Sequence, residues 1–417
     1  MTEPRSAAAR DVRMQGFAKR NTVEAALAWL DGQLRTLEAE LVPLAAAAGR
    51  VLASPIVSDI DVPGFDRATM DGYAVVADST EGATSYNRLT LRIVGDALPG
   101  SPFRGTLTAG QAVRIMTGAP MPVGADAVLP AEFAEVIAEG CDQVAALSTM
   151  SPGKNVGRRG EDVVAGTTIL DEGRVLRPQD LGVMSSVGVS EARVIRRPRV
   201  RLVITGNELL PAGSRPRGFQ ISDANGPMLA ALARRDGALV DCPGLVPDDP
   251  DAILAALQAD ADVVIVSGGS SVGVEDLAPM LVATHGELAV HGIAMRPSSP
   301  TGLGRLGHRL VFLLPGNPVS ALCAYDFFAG RAVRAIGGLP KPWPYRSVRA
   351  TLGRKISSPI GRLDYARVTL ENGRVEPLSV GGASMLSSTT RADGFVIVGD
   401  DSEGYPAGAD VDVWLYA

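Results

Sequence analysis

The sequence has few of the residues that build disulfides or soft-metal sites. Its 417 residues include only three cysteines and three histidines. Cys141, Cys242 and Cys323 are widely spaced and odd in number, which indicates neither a disulfide framework nor a CxxC metal site. The histidines lack the i, i+4 helical spacing of a zinc pair. We therefore expect reduced cysteines, and any bound metal to be a hard cation held by carboxylates.

Long apolar runs and an excess of positive charge are also missing. No run of about 18 apolar residues occurs, so no membrane-spanning helix and no membrane partner are predicted. Residues 1–20 mix acidic and basic side chains without an apolar segment, which argues against a secretory signal and favours a flexible tail on a cytoplasmic protein. A net charge of −6 offers no overall basic field, so we expect no nucleic-acid partner, whereas small anions remain possible ligands of local basic loops.

The composition is that of a folded protein with several domains. Hydrophobic residues make up 46% and charged residues 21% of the chain, which is typical of globular proteins. At the usual ~100–200 residues per domain, the length predicts two to four domains. We divide the chain into a flexible tail (1–20), a helical linking domain I (21–50 and 151–195), a β-rich domain II (51–150), an α/β domain III (196–338) and a C-terminal β domain IV (339–417).

The N-terminal half carries a helix and two loops dense in charge. Asn21 and Glu24 predict a capping box for a helix with one apolar face. In the loop 61–75, three aspartates either point at a cation or bond to their own backbone in turns, and the turn interpretation is favoured. The loop 151–166 is either a solvated charged loop or a contact for an anionic ligand or partner subunit. Short apolar runs between these loops predict a small β domain.

From residue 198 onwards, predicted strands alternate with helices. The strands are 200–205, 238–240, 263–266 and 309–314, with helices at 228–235 and 250–258. This alternation predicts right-handed βαβ units and a doubly wound sheet, which binds ligands at the carboxyl ends of its strands. After a proline-rich linker, a hairpin turn at 371–374 and alternating apolar residues near the C terminus predict a further β domain.

The loop after the strand 263–266 is the main candidate for a ligand site. Gly268, Gly269 and Gly273 permit a tight turn and a close approach of backbone N–H groups, and Ser270 and Ser271 add hydroxyl donors. If a helix begins after this loop, its N terminus favours an anion. An ordinary βα turn without a ligand fits the same residues. The loop matches neither GxGxxG nor GxxxxGK[ST], so the dinucleotide and P-loop fingerprints are missing.

Seven short motifs follow one another along the chain. They are DVPGFDRATMDGYAV (61–75), RIMTGAPMP (114–122), GADAVLPAE (124–132), RRGEDV (158–163), TGNEL (205–209), SGGSSVGVED (267–276) and LPGNPVSA (314–321). In this order they resemble the molybdopterin molybdenumtransferases, the MoeA family that includes the E domain of gephyrin. The resemblance extends from about Thr22 to the end of the chain.

The resemblance implies both a fold and a reaction. The expected fold is multidomain α/β, with a doubly wound α/β molybdopterin-binding domain, small β-rich domains and a C-terminal β-barrel-like domain. The expected enzyme is a homodimer that binds adenylyl-molybdopterin and molybdate with Mg²⁺, inserts molybdenum and releases AMP in molybdenum cofactor biosynthesis. The expected partners are molybdopterin adenylyltransferase and acceptor molybdoenzymes.

The motifs also carry over candidate site residues. The acidic set expected near the nucleotide phosphate and Mg²⁺ consists of Glu208, Asp248 and Asp276. The catalytic set expected from across the dimer cleft consists of Asp71, Thr117 and Asp162. The residues expected to contact the pterin or nucleotide are Gly268, Gly269, Ser270, Ser271, Gly273, Asn317 and Ser320.

The segment expected to bind the oxyanion departs from the family pattern. Family members commonly read KPGKP there, whereas this chain reads Arg-Pro-Ser-Ser-Pro at 296–300. Arg296 keeps one cation beside Pro297, and Arg367 is a candidate second cation because a guanidinium binds oxyanions bidentately. Ser384 stands next to a position where some members use a serine. We expect weaker molybdate binding than in members that keep both lysines.

Three other functions fit parts of the pattern. A diverged paralogue would bind a pterin nucleotide without inserting metal. A scaffold would keep the dimer without chemistry, but it would not require the acidic residues of the motifs. A CinA-like nucleotide hydrolase would share the α/β domain, but it would not account for residues 61–132. The molybdenum insertase is therefore the favoured function.

Overall fold

The computed structural model describes residues 20–137, 141–268, 277–379 and 384–416, which fall in two compact units. One unit comprises 41–48 and 52–193, and the other comprises the described residues of 1–40, 49–51 and 194–417. The proposed flexible tail lies outside these residues apart from Arg20. Within the described residues, no helix is long and apolar enough to cross a membrane.

The first helix, α1 (Val23–Gln33), begins after Thr22, whose hydroxyl accepts a 3.1 Å hydrogen bond from the N–H of Ala25. Thr22 is therefore the N-cap. The predicted capping box is wrong, because the Asn21 backbone is paired with a distant segment instead. The predicted apolar face is confirmed, since its side chains are buried in or packed against the core.

A six-stranded sheet forms the core of the unit built from 41–48 and 52–193. Along the chain the strands up to residue 195 are β1 Ala39–Pro43, β2 Ile56–Val57, β3 Arg67–Ala68, β4 Gly72–Val75, β5 Leu89–Ala97, β6 Gln111–Ile115, β7 Ala127–Pro130, β8 Ala134–Val136, β9 Gln143–Ala146, β10 Val156–Gly157, β11 Thr168–Leu170 and β12 Glu191–Ile195, with α2 at Pro178–Ser186. The sheet order is β7-β4-β6-β5-β9-β8. Apolar side chains form separate buried clusters in this sheet region, which confirms the predicted β domain.

The α/β part of the other unit is a seven-stranded sheet with helices. The strands along this part of the chain are β13 Arg199–Thr205, β14 Leu209–Leu210, β15 Ile221–Ser222, β16 Leu239–Asp241, β17 Leu245–Val246, β18 Val263–Ser267, β19 Glu287–His291, β20 Met295–Arg296, β21 Gly302–Leu306 and β22 Arg309–Leu314. Of these, β14 and β15 form a separate pair and β20 pairs with a strand of the C-terminal part, and the other seven form the sheet. Its helices are α3 Asn225–Arg235, α4 Pro250–Leu257, α5 Leu277–His285, α6 Pro318–Ala324 and α7 Gly330–Ile336, the last two joined by a π-helical turn at Tyr325–Ala329.

Four parallel strands, in the order β16-β13-β18-β22, form one side of this sheet, with β16 at its edge. The central strand β18 is buried along its whole length, as its β-branched sequence predicts for a strand covered on both faces. The predicted strands and helices are confirmed to within a few residues. The antiparallel edge of β21 and β19 was not predicted, because β21 reads Gly-Leu-Gly-Arg-Leu and gives no clear strand pattern.

The C-terminal part forms a closed five-stranded barrel. Its elements are β23 Arg346–Leu352, β24 Ile356–Ser357, β25 Leu363–Glu371, β26 Arg374–Ser379, α8 Ser387–Thr390, β27 Gly394–Val398, β28 Gly404–Tyr405 and β29 Asp410–Leu415. The barrel runs β25-β26-β23-β29-β27 and closes by pairing of β27 with β25. The predicted hairpin is confirmed, since Asn372 and Gly373 have φ of 51° and 76°, as a type I′ turn requires.

Candidate functional site

The carboxyl ends of the parallel strands β13 and β18 open into a cavity of about 590 Å³. This is where a doubly wound sheet binds its ligands, and the volume suits a small organic molecule. The barrel part of the chain also contributes to its wall. Five of the residues expected from the sequence line the cavity, namely Glu208, Asp248, Gly268, Asn317 and Ser384.

Gly268 follows directly after the central strand β18, at a point where no side chain fits. Its φ is 99°, and a Cβ atom there would lie 2.0 Å from the backbone oxygen of Thr205. Only glycine therefore allows β18 and β13 to end so close together beside the cavity. The expected loop residues that follow, Gly269, Ser270, Ser271, Gly273 and Asp276, lie outside the residues that the structure describes.

Asp248 is held in place by two donors from the end of β13. One carboxylate oxygen accepts a 2.9 Å hydrogen bond from the N–H of Asn207, and the other accepts from the Thr205 hydroxyl. Glu208, also in the cavity wall, is exposed. These two carboxylates are hard oxygen donors of the kind that suits Mg²⁺, which usually takes one or two carboxylates and shares its remaining positions with phosphate and water.

The described residues contain no group of three or more histidine, cysteine, aspartate or glutamate side chains placed to hold a metal. The third acid expected there, Asp276, is outside them. The structure therefore places Glu208 and Asp248 on one cavity, and it leaves the complete acidic set as a prediction.

Asn225 is a cavity residue that the sequence reasoning missed. It is 7% exposed, and its Nδ2 donates hydrogen bonds of 2.9 Å to the Ser267 hydroxyl and 2.7 Å to the backbone oxygen of Gly316. Its Oδ1 atom is buried and has no hydrogen-bond partner among the described residues. An unsatisfied buried acceptor is costly, so this atom favours a ligand that donates a hydrogen bond. The sequence feature that could have pointed to Asn225 is the run Ser-Asp-Ala-Asn just before a predicted helix.

The segment expected to bind the oxyanion is already engaged within the protein. Arg296 forms an ion pair with Asp364, whose side chain is fully buried. Nε of Arg362 lies 3.2 Å from the other oxygen of the same carboxylate. The positive charge of Arg296 is therefore partly balanced, and Arg362 is a further cation at this place that the sequence reasoning did not consider.

Apart from Ser384, the other residues expected to bind the oxyanion are buried or lie outside the cavity wall, and so is Ser320, an expected pterin or nucleotide contact. Arg296 and Pro297 are not among the residues that line the cavity. Arg367 is 1% exposed on the barrel strand β25. Ser320 is 3% exposed, and its backbone oxygen accepts a hydrogen bond from the Ser298 hydroxyl. The Ser299 hydroxyl is buried without a hydrogen-bond partner among the described residues.

In the other unit, Asp71 and Thr117 are in direct contact. One oxygen of Asp71 accepts hydrogen bonds from the N–H of Thr117 at 2.7 Å and from its hydroxyl at 2.8 Å. Both bonds lower the pKa of the Asp71 carboxyl below its ordinary value, and the bond from the N–H has the larger effect. Asp162 lies in an exposed loop, where its N–H bonds to the backbone oxygen of Val62. The structure thus brings Asp71 and Thr117 of the predicted set into contact, whereas Asp162 lies in another loop.

The loops 61–75 and 151–166 are joined by ion pairs. Asp61 accepts hydrogen bonds from Nε of Arg159 at 2.6 Å and from the N–H of Ala165 at 2.8 Å. Asp66 accepts from Arg158 at 2.7 Å and from the N–H of Arg159 at 2.8 Å. The turn interpretation is wrong for these two aspartates, because their partners lie in the other loop. The same bonds lower the pKa of both carboxyls.

A parallel sheet with carboxylates and a close-packed glycine at the carboxyl ends of its strands, joined to a closed barrel, defines a ligand-binding α/β protein. Comparison with protein families is more specific. Residues 21–188 match the MoeA N-terminal region (domain I and II), residues 201–335 match a probable molybdopterin binding domain, and residues 349–416 match the MoeA C-terminal region (domain IV).

Individual relatives agree with these matches. Molybdopterin molybdenumtransferase 2 of Mycobacterium tuberculosis is 38% identical over 89% of this chain and 94% of its own length. Molybdopterin molybdenumtransferase of Haemophilus influenzae is 33% identical over 90% and 93%. The crystal structure of a molybdopterin biosynthesis MoeA protein from Pyrococcus horikoshii OT3 superposes with a TM-score of 0.79 at 32% identity, covering 95% of this chain and all of that one.

The chain belongs to the MoeA family of molybdopterin molybdenumtransferases, which are transferases of molybdenum cofactor biosynthesis. This confirms the resemblance drawn from the seven motifs, together with the multidomain α/β fold and the class of enzyme that it implied.

Proposed function

We propose that this protein inserts molybdenum from molybdate into adenylyl-molybdopterin and releases AMP. The observation that supports the proposal most directly is the cavity at the ends of β13 and β18, where Asp248 and Glu208 share a wall with Gly268. In a chain of this family, such a cavity suits a ligand that carries both a phosphate and a pterin. The polar side chains of Asn317 and Ser384 extend the same wall.

Mg²⁺ is the cation that we propose for this site, with Glu208 and Asp248 as its protein ligands. Bound Mg²⁺ would offset negative charge on the departing AMP phosphate. Thr205 and Asn207 already hold the Asp248 carboxylate, so little reorganisation is needed when the cation binds. Glycine at 268 leaves room for the backbone to approach the ligand closely.

Asn225 provides a recognition contact in the same cavity. Its Nδ2 is fixed by Ser267 and Gly316, so Oδ1 is held in one orientation. We propose that Oδ1 accepts a hydrogen bond from an N–H or hydroxyl group of the pterin nucleotide. Such a contact would satisfy the buried acceptor and would favour this ligand over one without a donor there.

We further propose that the active protein is a cytoplasmic homodimer. Asp71 and Thr117 lie in a different compact unit from the cavity, and a second subunit would allow the paired residues to complete the site. Molybdopterin adenylyltransferase would supply the substrate and acceptor molybdoenzymes would receive the product. Light scattering at micromolar concentration should then give twice the chain mass of 43.3 kDa, and a fully active monomer would exclude the composite site.

The reaction is tested by incubating the pure protein with adenylyl-molybdopterin, Mg²⁺ and molybdate, and by measuring AMP and active cofactor separately. Asp248→Asn should keep the fold and lower AMP release, because it removes a carboxylate directed at the cation. Asp251→Asn makes the same chemical change on an exposed residue outside the cavity wall, and it should behave like wild type.

Two outcomes would contradict parts of this proposal. An Asp248→Asn variant with the Mg²⁺ dependence and turnover of wild type would remove Asp248 from the reaction. AMP release by the wild-type protein without formation of active cofactor would instead support a diverged paralogue that cleaves the nucleotide but does not insert metal.

A further inference from the structure

A second cavity, of about 610 Å³, lies at the opposite end of the parallel sheet from the functional cavity. Pro198 and Leu239, at the amino ends of β13 and β16, form part of its wall, together with the C-terminal end of α3. The functional cavity opens at the carboxyl ends of the strands. The two cavities share no lining residue, so they are separate sites.

Five arginines line this second cavity, and its described wall contains one acidic residue, Asp236. Asp236 is 1% exposed, and its carboxylate is engaged by Arg235 at 3.0 Å and by Arg334 at 2.8 Å. The wall therefore presents no uncompensated carboxylate that would repel an anion. The lining arginines are Arg50, Arg196, Arg197, Arg234 and Arg235.

Three of these arginines are fixed by contacts within the protein. Arg196 donates two hydrogen bonds of 2.7 Å to Asp262. Nη2 of Arg50 donates to the backbone oxygen of Ile195 at 2.8 Å. Arg235 donates to the Tyr345 hydroxyl at 2.7 Å as well as binding Asp236. These contacts make the wall rigid, and they leave little of the charge of these three residues available to a ligand.

Arg197 and Arg234 differ from the other three. Both are exposed, and neither side chain has an ion pair or hydrogen bond within the described parts of the chain. Arg234 lies in the last turn of α3, where a cation complements the helix dipole. That role leaves the donors of its guanidinium unused. Two guanidinium groups on one cavity are suited to the oxygens of a phosphate group.

The rest of the wall suits an organic ligand. Val51, Ile195 and Leu339 add apolar surface to it. The volume lies within the range of about 300–1,000 Å³ that is usual for small-molecule sites. We propose that this cavity is a second binding site, for a small organic phosphate whose phosphate group contacts Arg197 and Arg234 and whose apolar body contacts Val51, Ile195 and Leu339.

Isothermal titration calorimetry of the full-length protein with phenyl phosphate, AMP and inorganic phosphate tests for this site. Phenyl phosphate should bind saturably, and Arg197→Gln/Arg234→Gln should weaken this binding about ten-fold to a hundred-fold for the lost charge-assisted hydrogen bonds. Glutamine keeps much of the side chain, and both positions are exposed, so the thermal midpoint should change little, by no more than the lost interaction of Arg234 with the helix dipole. The single variants should fall between wild type and the double variant.

Arg104→Gln/Arg346→Gln is the matched control, because it removes the same charge from two exposed arginines outside this cavity. It should bind phenyl phosphate like wild type. Competition by AMP would identify the released nucleotide as the ligand source, and binding of phenyl phosphate without such competition would identify another organic phosphate. Equal loss in both double variants, or no saturable binding of any of the three probes, would overturn the proposal. Because the phenyl phosphate assay needs no turnover, its result is independent of the insertase activity.

Discussion

Asp326 and Tyr345 connect the α/β domain to the barrel, since the Tyr345 hydroxyl donates a 2.9 Å hydrogen bond to the completely buried Asp326 carboxylate. Asp326 lies in the π-helical turn between α6 and α7, and Tyr345 lies just before the first barrel strand. Burial raises the pKa of Asp326 to about 6, although nearby Arg235 and the bond from Tyr345 act in the opposite direction.

Because of this raised pKa, we expect the free energy of unfolding to fall as the pH rises through about 6. The folded protein holds the Asp326 proton more tightly than the unfolded chain, whose carboxyl titrates near its ordinary value of 3.8. The stability that the protonated Asp326 contributes is fully present below pH 3.8 and is lost above about pH 6. A difference of two pKa units corresponds to about 3 kcal/mol. Asp326→Asn should remove this part of the pH dependence in urea unfolding between pH 4 and pH 7, whereas Asp251→Asn should keep it. Parallel curves for wild type and Asp326→Asn would contradict the prediction.

Gly268→Ala should damage both stability and activity. The new methyl group would lie 2.0 Å from the Thr205 backbone oxygen, in addition to the strain of a φ of 99°. Gly173→Ala separates the two effects, because Gly173 has a φ of 81° and nothing within 4 Å of the added atom. Backbone strain alone should cost about 1–3 kcal/mol in the control. Denaturant unfolding should show a clearly larger loss for Gly268→Ala, and equal losses would show that the strand ends can separate without cost.

Thr117→Val should lower molybdenum insertion several-fold with little change in stability. Valine removes the hydroxyl that bonds to Asp71 but keeps the N–H bond and the size of the side chain. Thr117→Ser keeps the hydroxyl and should retain most of the activity. The measurement is the insertion rate of both variants at saturating substrate, with thermal unfolding to confirm the fold. Full activity of the valine variant would show that the hydroxyl has no part in the reaction.

Asp364→Asn should strengthen molybdate binding at the cost of stability. It removes the carboxylate that balances Arg296 and Arg362, so both guanidinium groups gain freedom to bind an oxyanion. Breaking a buried ion pair destabilises a protein by about 3–5 kcal/mol. The molybdate concentration for half-maximal insertion should fall in Asp364→Asn and in Ser299→Lys, and rise in Arg296→Ala. An unchanged midpoint in all three variants would show that this segment does not hold the anion.

The sequence by itself determined the local structure of the α/β domain and the barrel hairpin. The β-branched run of β18 predicts a strand buried on both faces, and Asn372-Gly373 predicts the tight turn, because each depends on residues close together in the chain. The order of the motifs also determined the family. These features follow from backbone preferences and hydrophobic periodicity, which act over a few residues.

Only the tertiary structure decided which charged groups meet. Asp61 and Arg159 are 98 residues apart, and Arg296 and Asp364 are 68 apart, yet each pair forms an ion pair. Turn chemistry alone assigned Asp61 to its own backbone, and Arg296 read as a free cation. The partner of a long charged side chain depends on which segments the fold brings within about 4 Å, and a sequence read along the chain does not contain that distance. The orientation of Asn225 has the same origin, since the partners of its Nδ2 lie on β18 and before α6 and leave Oδ1 unsatisfied.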